Sequence, residues 1–445
     1  MNRNDRAIVG FTMLAHAMFH TYELAIPIFV TVWLDAFAAT EATLGLVVGA
    51  GYALIGLGAL PSGVLADAYG SKTLVLGSAA GMGGGFLLVS VAPNVIVLSA
   101  ALVLWGAGAS LYHPAGLSLL SRGTEERGTA FAYHGAAGNV GTVVGPLAAA
   151  VLLAVVEWRL VAALFVLPAL VASAIAVRLS FDERAAADER AEEVSADGHG
   201  DADDDPEVAA DGDPGRADEI DADADPDVGA DRASETDDGL GSFRDLVRDS
   251  RALFTPGFVV LFAIIMLYGL YYRGVLTFLP EILGGLPMFE PVTLFDRSFS
   301  PSRYVYAGLL SVGVAGQYAG GKVSDMIETE YALVATFAAL VVAALLFVPA
   351  SNAGVAPLLA VCVLLGFFVY VAAPVYQATI ADYVADDSHG LSYGFTYLAM
   401  FGVGALGAAM AGTVLTYAGS SALFVLLAGL VALAGMLSVY LLVRD

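Results

Sequence analysis

The chain has 445 residues, of which 58% are hydrophobic and only 14% are charged, and its mean hydropathy is +0.76. Soluble domains carry roughly 25% charged residues, because charged side chains cover the surface that faces water. The composition therefore excludes a protein that is mainly soluble and indicates one that crosses a membrane many times.

The formal net charge of −25 is concentrated in one segment. Residues 181–252 contain 26 Asp and Glu but 7 Lys and Arg, and few large apolar side chains. Such a segment buries too little apolar surface to offset the entropy of ordering, so we predict a disordered, solvated linker. The acidic residues are rich in Asp, and only Lys72 and Lys322 are lysines. This balance resembles the proteins of salt-accumulating halophiles.

Twelve apolar stretches are long enough to cross the hydrocarbon core of a bilayer, which takes about 20 helical residues. The predicted spans are 8–33, 43–66, 73–92, 95–120, 128–154, 158–180, 256–283, 302–323, 330–350, 355–382, 389–417 and 420–443. They form an N-terminal six-helix bundle at 1–180 and a C-terminal bundle at 253–445, joined by the acidic linker at 181–252. The sequence thus predicts an all-α polytopic membrane protein with twelve transmembrane helices.

Basic residues outside the linker fix the predicted orientation, because cytoplasmic loops carry an excess of Lys and Arg. With the N-terminus inside, eight basic residues lie on the cytoplasmic side and three outside. The inner set is Arg3, Arg6, Lys72, Arg122, Arg127, Arg178, Lys322 and Arg444, and the outer set is Arg159, Arg297 and Arg303. We therefore predict a multi-pass protein of the plasma (cell) membrane with both termini in the cytoplasm.

The two halves of the chain repeat each other. The sequence ALFVL occurs at 163–167 and again at 422–426. Three further pairs match in chain order at similar offsets: Gly106 and Pro114 with Gly366 and Pro374, Gly63 and Asp67 with Gly321 and Asp325, and Tyr22-Glu23 with Tyr272-Arg273. A duplicated six-helix unit is typical of transporters in which two pseudo-symmetric halves surround a central site.

The loop between the second and third spans reads GVLADAYGSK at residues 63–72, and the equivalent loop of the second half reads GKVSD at 321–325. The first resembles the G-x-L-a-D-r-x-G-r-K signature of the major facilitator superfamily, and the second resembles a reduced copy. The resemblance implies the major facilitator fold and a conformational latch made of Gly63, Asp67, Gly70, Lys72, Gly321 and Asp325. In the family the Asp accepts hydrogen bonds at a neighbouring helix N-terminus, where the helix dipole favours a carboxylate, and holds the outward-open state. Ala68 and Ser71 replace the two usual arginines.

The fifth span carries Gly141, Gly145 and Pro146, which is similar to the G-x-x-x-G-P of the family's exporters. Small residues also let membrane helices pack closely, so packing alone is the alternative. The segments YHP at 112–114 and GNVG at 138–141 resemble the fosmidomycin-resistance exporter branch. Together these motifs favour efflux.

Ionisable side chains at membrane depth need a partner or water, since each costs at least about 2.5–3.5 kcal/mol at the centre of a membrane helix. His16, His20 and Glu23 share one face of the first span. Glu23 and Arg273 lie about 22 and 24 Å along their helices, which is a matching depth on spans related by the repeat. This predicts a pair across the outer half of the cavity, and the alternatives are a purely structural ion pair or contact of either residue with a charged substrate.

Two further groups complete the predicted cavity. His113 and His134 reach similar depth on neighbouring spans, where they either shuttle protons or join helices by hydrogen bonds. Aromatic residues beside Pro374 line the second half of the cavity or anchor the helix at the interface. The predicted proton and substrate cavity comprises Glu23, Arg273, His16, His20, His113, His134, Asn139, Tyr370, Tyr376 and Gln377.

The sequence contains no nucleotide-binding loop, Zn-type His/Cys spacing or nucleophile elbow. We therefore expect no enzyme activity, cofactor, metal or nucleic-acid partner. The predicted function is secondary active transport of a small organic solute by a monomer in the lipid bilayer. We expect an exporter that is coupled to protons, and another coupling ion is the alternative. Two alternatives remain: an organic-anion importer in which Arg273 anchors a carboxylate, and a transport-inactive sensor or scaffold acting through the acidic linker.

Overall fold

The computed structural model describes residues 1–188, 250–251, 253–294, 297–384 and 389–444. The N-terminal half consists of helices α1 (Arg3–Ala36), α2 (Glu41–Leu57), α3 (Ala59–Tyr69), α4 (Ser71–Ser90), α5 (Val95–Ser110), α6 (Tyr112–Gly123), α7 (Arg127–Leu153), α8 (Trp158–Leu164) and α9 (Val166–Arg178). The C-terminal half consists of helices α10 (Pro256–Leu276), α11 (Leu279–Gly284), α12 (Pro301–Ser324), α13 (Thr329–Ala353), α14 (Val355–Tyr383), α15 (His389–Tyr397) and α16 (Leu406–Arg444). Shorter elements are a 3-10 turn (Pro287–Phe289), strands β1 (Val292–Leu294) and β2 (Arg297–Phe299), and a π-helical segment (Leu398–Val403).

Nine helical stretches in the described ranges are long and apolar enough to cross a membrane, and some of them join consecutive helices, as α5 with α6, α8 with α9, and α10 with α11. The bent pair α2 and α3 makes ten if it forms one span. Two features account for the difference between these ten and the twelve predicted spans. Helix α12 has 24 residues but is less apolar, since it contains Gln317 and Lys322. Helix α16 runs through Gly419, whose φ of 80° interrupts the helical backbone. It therefore holds the end of the eleventh predicted span and all of the twelfth.

Small residues on α7 bring its backbone against α1. A Cβ atom at Gly141 would lie 2.1 Å from the carbonyl oxygen of Ala17, and one at Gly145 would lie 2.3 Å from that of Thr21. Both distances are far below van der Waals contact, so only glycine fits at these positions. Close approach through small residues is how helices associate in lipid, where no hydrophobic driving force acts between them.

Helix α2 joins the two halves along its length. Near its start, the Ala42 amide donates a hydrogen bond to Oγ1 of Thr416 at 2.9 Å. Near its end, a Cβ atom at Gly56 would lie 2.1 Å from the amide nitrogen of Gly402 in the π-helical segment. The C-terminal half therefore contacts both ends of α2, and the π-helical segment packs against its last turn.

The first residues of the predicted linker pack on the N-terminal half. The ring of Phe181 lies 5.6 Å from that of Phe11, centroid to centroid, and Nζ of Lys72 lies 5.1 Å from the Phe181 centroid. The amide of Asp182 donates to Oδ1 of Asn4 at 2.8 Å. The first residues of the predicted linker thus contact the N-terminal half, and the boundary at 180 stays a prediction. Residues 189–249, where most of the predicted disorder falls, lie outside the described residues.

A small antiparallel hairpin of β1 and β2 precedes α12, with Thr293 opposite Ser298. Nη1 of Arg297 donates a hydrogen bond to the carbonyl oxygen of Val155 at 2.8 Å, so the hairpin touches the N-terminal half. The hairpin was not predictable from the sequence, because strands of three residues leave no usable alternation of polar and apolar side chains.

Candidate functional site

A buried ion pair joins the two halves of the molecule. Nη2 of Arg273, in the last turn of α10, donates a hydrogen bond to Oε1 of Glu23 in α1. The Glu23 side chain is 1% exposed and that of Arg273 is 2% exposed. Because an unpaired charge at this depth is costly, each side chain supplies the counter-charge that the other needs. The two residues that the sequence placed at matching depth are therefore in contact.

Aromatic rings surround the Arg273 guanidinium. Its central carbon lies 3.7 Å from the ring centroid of Tyr52, 5.3 Å from that of Tyr272 and 5.4 Å from that of Phe401. The faces of these rings attract the cation, most strongly where water is excluded. Tyr52 also donates its hydroxyl to the backbone carbonyl of Glu23 at 2.9 Å. Nε of Arg273 has no hydrogen-bond partner within the described ranges.

The predicted stripe on α1 forms a continuous chain of polar contacts. Nδ1 of His20 lies 2.7 Å from Oε2 of Glu23, and Nε2 of His20 lies 3.1 Å from Nε2 of His16. Nδ1 of His16 lies 2.8 Å from the backbone carbonyl oxygen of His134 on α7. The chain therefore leads from the ion pair between the halves into the N-terminal half.

His16, His20, His113 and His134 form a single histidine cluster. The rings of His16 and His134 stack with centroids 3.9 Å apart, and the His113 ring meets His16 edge-on at 5.3 Å. Nε2 of His134 lies 3.0 Å from the hydroxyl of Tyr112, which donates to a backbone carbonyl on α1. One ring nitrogen each from His16, His20 and His113 lies within 4.8 Å of the others, so these three residues could hold a metal ion.

Glycine makes room for the histidine cluster. A Cβ atom at Gly138 of α7 would lie 2.5 Å from Cε1 of His16, so a larger residue there would displace the imidazole. Asn139, the next residue, is half-buried. This packing gives Gly138 a physical role that the exporter-like GNVG motif did not reveal.

The other predicted cavity residues lie in the C-terminal half. Tyr370 is half-buried, with its ring centroid 6.3 Å from that of Tyr272, the neighbour of Arg273. Tyr376 is buried, with its centroid 5.9 Å from that of Tyr268. Gln377 is exposed, and its place in a cavity stays a prediction. The aromatic residues around Pro374 therefore pack on α10, the helix that carries Arg273.

The latch-like loop differs in its contacts from what the resemblance implied. Asp67 pairs with Nη2 of Arg122 at the end of α6, and the two side chains are 49% and 41% exposed. The helix N-terminus next to Asp67 is instead occupied by Glu183, whose carboxylate accepts hydrogen bonds from the amides of Ser71 at 2.7 Å and Lys72 at 3.2 Å. An acidic side chain is favoured there because the first amides of a helix lack partners and carry partial positive charge.

The remaining latch positions fall into two groups. Gly70 joins α3 to α4 with a φ of 83°, a conformation that disfavours other residues. A Cβ atom at Gly63 or Gly321 would meet no other atom within 4 Å, so packing does not require glycine at either position. Asp325 lies 3.8 Å from Lys322, and both are more than half exposed, which makes this copy a weak surface pair.

Comparisons with known proteins agree with this architecture. The sequence matches the Major Facilitator Superfamily over residues 10–408. It is 29% identical over 153 residues to the multidrug resistance protein B homolog of Mycobacterium tuberculosis, a stretch that covers 34% of this chain and 28% of that relative. The chain therefore spans only about 28% of the length of this curated relative.

Two solved structures resemble nearly the whole chain. One is a bacterial homolog of the human lysosomal transporter Spinster in an inward-facing, unoccupied conformation, with a TM-score of 0.65, 15% identity and coverage of 100% of this chain and 96% of that one. The other is the nucleoside transporter NupG, with a TM-score of 0.71, 12% identity and coverage of 98% and 99%. At these identities the likeness establishes the fold of two helical bundles and no substrate.

Proposed function

The chain belongs to the Major Facilitator Superfamily, and from this premise we propose that it exports a small organic solute in exchange for protons. The family is one of multi-pass membrane transporters rather than enzymes, and the two similar solved structures share its fold. Export is supported by the multidrug resistance relative and by the Gly141–Pro146 motif of α7. The fosmidomycin-resistance branch remains a prediction that rests on its short motifs.

The observation that carries the proposal is the buried Glu23–Arg273 pair between the halves. In alternating access the halves rock about the central site, so a contact that joins them has to break in each cycle. Separating a buried pair leaves two charges without partners. Removing one partner of such a pair costs about 3–5 kcal/mol, which gives the scale of this cost. A proton on Glu23 neutralises the carboxylate, so Glu23 no longer needs a partner. A solute near Arg273 gives the guanidinium a new partner.

The proposed proton route follows from the contacts of Glu23. His20 touches the Glu23 carboxylate and is 22% exposed, so it links the buried carboxylate to a more accessible region. An imidazole can accept a proton at one ring nitrogen and release one from the other, which suits this position. Asp67 and its loop are proposed to bias the conformational equilibrium, because they connect α3 with α6 on the side that carries most of the basic residues. We further propose a monomer in the plasma membrane with cytoplasmic termini, supported by the distribution of those basic residues.

One observation favours import of an organic anion as a second candidate. Nε of Arg273 has no hydrogen-bond partner within the described ranges, although the residue is 2% exposed. A guanidinium offers a fork of donors that fits a carboxylate, so a substrate carboxylate would occupy the free donor. The two candidates differ in direction: protons and solute move oppositely during export and together during import.

Transport by purified protein in proteoliposomes tests the proposal. A thermal-shift screen of organic cations, anions and antibiotics at two pH values first identifies a ligand, since a ligand that binds only the folded state raises its stability. An imposed pH gradient should then drive this solute against the proton flow. Movement with the proton flow would favour the importer, and equal flux with and without the gradient would contradict proton coupling.

A linker deletion tests the scaffold alternative. Removing residues 190–240 leaves the packed segment up to Asp188 intact, including Glu183 on α4. We expect this variant to retain the solute flux of the full chain. Loss of a cellular phenotype in the deletion variant, combined with no measurable flux for the full chain, would instead support a sensor or scaffold.

A further inference from the structure

The contact between His16 and His20 requires a positive charge between the two rings. Their Nε2 atoms face each other at 3.1 Å. Each Nδ1 atom already faces an acceptor: the carbonyl oxygen of His134 for His16, and the carboxylate of Glu23 for His20. A neutral imidazole has one N–H, and here each ring uses it at Nδ1. With both rings neutral, two lone pairs therefore meet between them, and a cation at this point, either a proton or a metal ion, makes their approach favourable.

We propose that His16, His20 and His113 bind a divalent transition-metal ion of the Zn²⁺ or Co²⁺ class. Imidazole suits these ions, and Zn–N bonds of about 2.0–2.1 Å place tetrahedral ligands about 3.3 Å apart. The His16 and His20 nitrogens, 3.1 Å apart, already have nearly that separation. His113 completes the set, with its ligand atom within 4.8 Å of both. It needs to move by about 1.5 Å to reach bonding distance.

His113 is suited to become the third ligand. Its side chain is 7% exposed, and Nδ1 has no hydrogen-bond partner within the described ranges. A buried polar nitrogen without a hydrogen-bond partner is destabilising. A metal ion bound to Nδ1, directly or after rotation of the ring toward the ion, would satisfy this nitrogen. Among the described residues Nδ1 has no partner to lose, so the approach of the ring to the other two imidazoles breaks no hydrogen bond at Nδ1.

The surroundings of the other two ligands are those of metal-binding histidines. A histidine that binds a metal through one nitrogen almost always donates its second N–H to a carboxylate or a backbone carbonyl, which fixes the ring. His20 has the Glu23 carboxylate at 2.7 Å and His16 has a backbone carbonyl at 2.8 Å. Three imidazoles leave a fourth position for water or a small ligand. His20, at 22% exposed, provides the route by which the ion enters.

This inference differs from the expectation of no metal, because the ligands come from two helices. His16 and His20 lie one turn apart on α1, whereas His113 lies at the start of α6. The spacing of histidines along the sequence therefore does not indicate the site. The proposal does not depend on proton-coupled export. A proton competes with the metal for the same nitrogens, so metal binding is expected to weaken as pH falls.

Titration of the purified full chain with Co²⁺ tests the proposal. The protein is purified without a histidine tag and titrated at pH 7.5 while the visible absorption of the cobalt ion is recorded. We expect one ion per chain with the intense bands of tetrahedral Co²⁺, which Zn²⁺ then displaces. His113→Gln and His16→Gln should each weaken binding at least about 10-fold, the lower range for losing a group that supports a metal site.

Two control variants separate the site from other histidines. His134→Gln should retain binding, because it keeps the backbone carbonyl that faces His16 and removes only the ring that stacks on His16, which is not a proposed ligand. His199→Gln, in the acidic segment outside the described residues, should also retain it. Binding at pH 5.5 should be weaker than at pH 7.5, since the ligand nitrogens must be unprotonated.

Three outcomes would overturn the proposal: no saturable binding to the wild type, binding that is unchanged in both His113→Gln and His16→Gln, or binding lost equally in His199→Gln. The first would leave a shared proton as the cation between His16 and His20. Size-exclusion profiles and metal-free melting temperatures establish that each variant is folded, and the two ligand variants are independent, so one folded variant suffices for the test.

Discussion

Neutralising Glu23 and Arg273 singly and together measures how strongly the two halves are held by their charge pair. Both side chains are at most 2% exposed, so each single substitution leaves a charge in a region from which water is excluded. Removing one partner of a buried pair costs about 3–5 kcal/mol, and removing both costs much less. The remaining contacts moderate these values: Glu23 keeps His20, and Arg273 keeps the ring of Tyr52. We therefore expect Glu23→Gln and Arg273→Gln each to destabilise by about 2–4 kcal/mol, with a coupling energy of about 1–3 kcal/mol.

Unfolding by SDS in mixed micelles, followed by tryptophan fluorescence, provides the assay. Two of the three tryptophans, Trp33 and Trp105, are fully buried and therefore report the loss of packing. The matched control is the surface pair of Lys322 and Asp325, which lie 3.8 Å apart and are 61% and 71% exposed. A cycle on that pair should give a coupling energy below about 0.5 kcal/mol, as exposed pairs do. A value below about 0.5 kcal/mol for Glu23 and Arg273 as well would refute the reasoning that the buried pair holds the halves together.

Three smaller perturbations test other contacts. Asp67→Asn should shift the population toward the inward-open state by about 0.2–1 kcal/mol, a small effect because the Asp67–Arg122 pair is half exposed. Distances between spin labels on the cytoplasmic ends of the two halves measure this shift. An unchanged distance distribution with normal turnover would contradict the prediction. Glu183→Gln should lower stability by about 0.3–1 kcal/mol through the start of α4, whereas the exposed Asp188→Asn should not, and equal melting temperatures would refute the capping role. Gly145→Ala should destabilise by about 1–3 kcal/mol through its clash with a backbone carbonyl, while Gly135→Ala, with open space around it, should not; equal effects would refute the close packing of α1 on α7.

The membrane fold could be predicted from the sequence because its main determinant is local. Apolar stretches of about 20 residues identify spans without knowledge of their neighbours, and only α12 and the break at Gly419 needed the structure. The Glu23–Arg273 contact was also predictable, because the internal repeat and a rise of 1.5 Å per residue fix depth. The depth of the two residues in the membrane was enough to predict their contact, because few other charged residues lie at that depth.

Contacts that depend on helix rotation and on distant segments were not predictable. Phe401 reaches Arg273 from a π-helical segment, whose extra residue per turn changes the face that its side chains occupy. Glu183 reaches the start of α4 from a segment whose composition predicted only a solvated linker. Arg122 meets Asp67 from α6, far along the chain from the signature loop. In each case the partner lies outside the motif, so the motif alone did not indicate the contact.

Substrate-driven proton movement in proteoliposomes is the most direct test of proton-coupled export. A solute gradient is imposed across vesicles that contain a pH-sensitive dye, for the wild type and for Glu23→Gln, while solute exchange is measured in parallel without a gradient. We expect the wild type to move protons against the solute flow. We expect Glu23→Gln, which mimics the protonated carboxyl group, to retain exchange but to move no protons. Proton movement of wild-type size in Glu23→Gln would contradict proton coupling through Glu23.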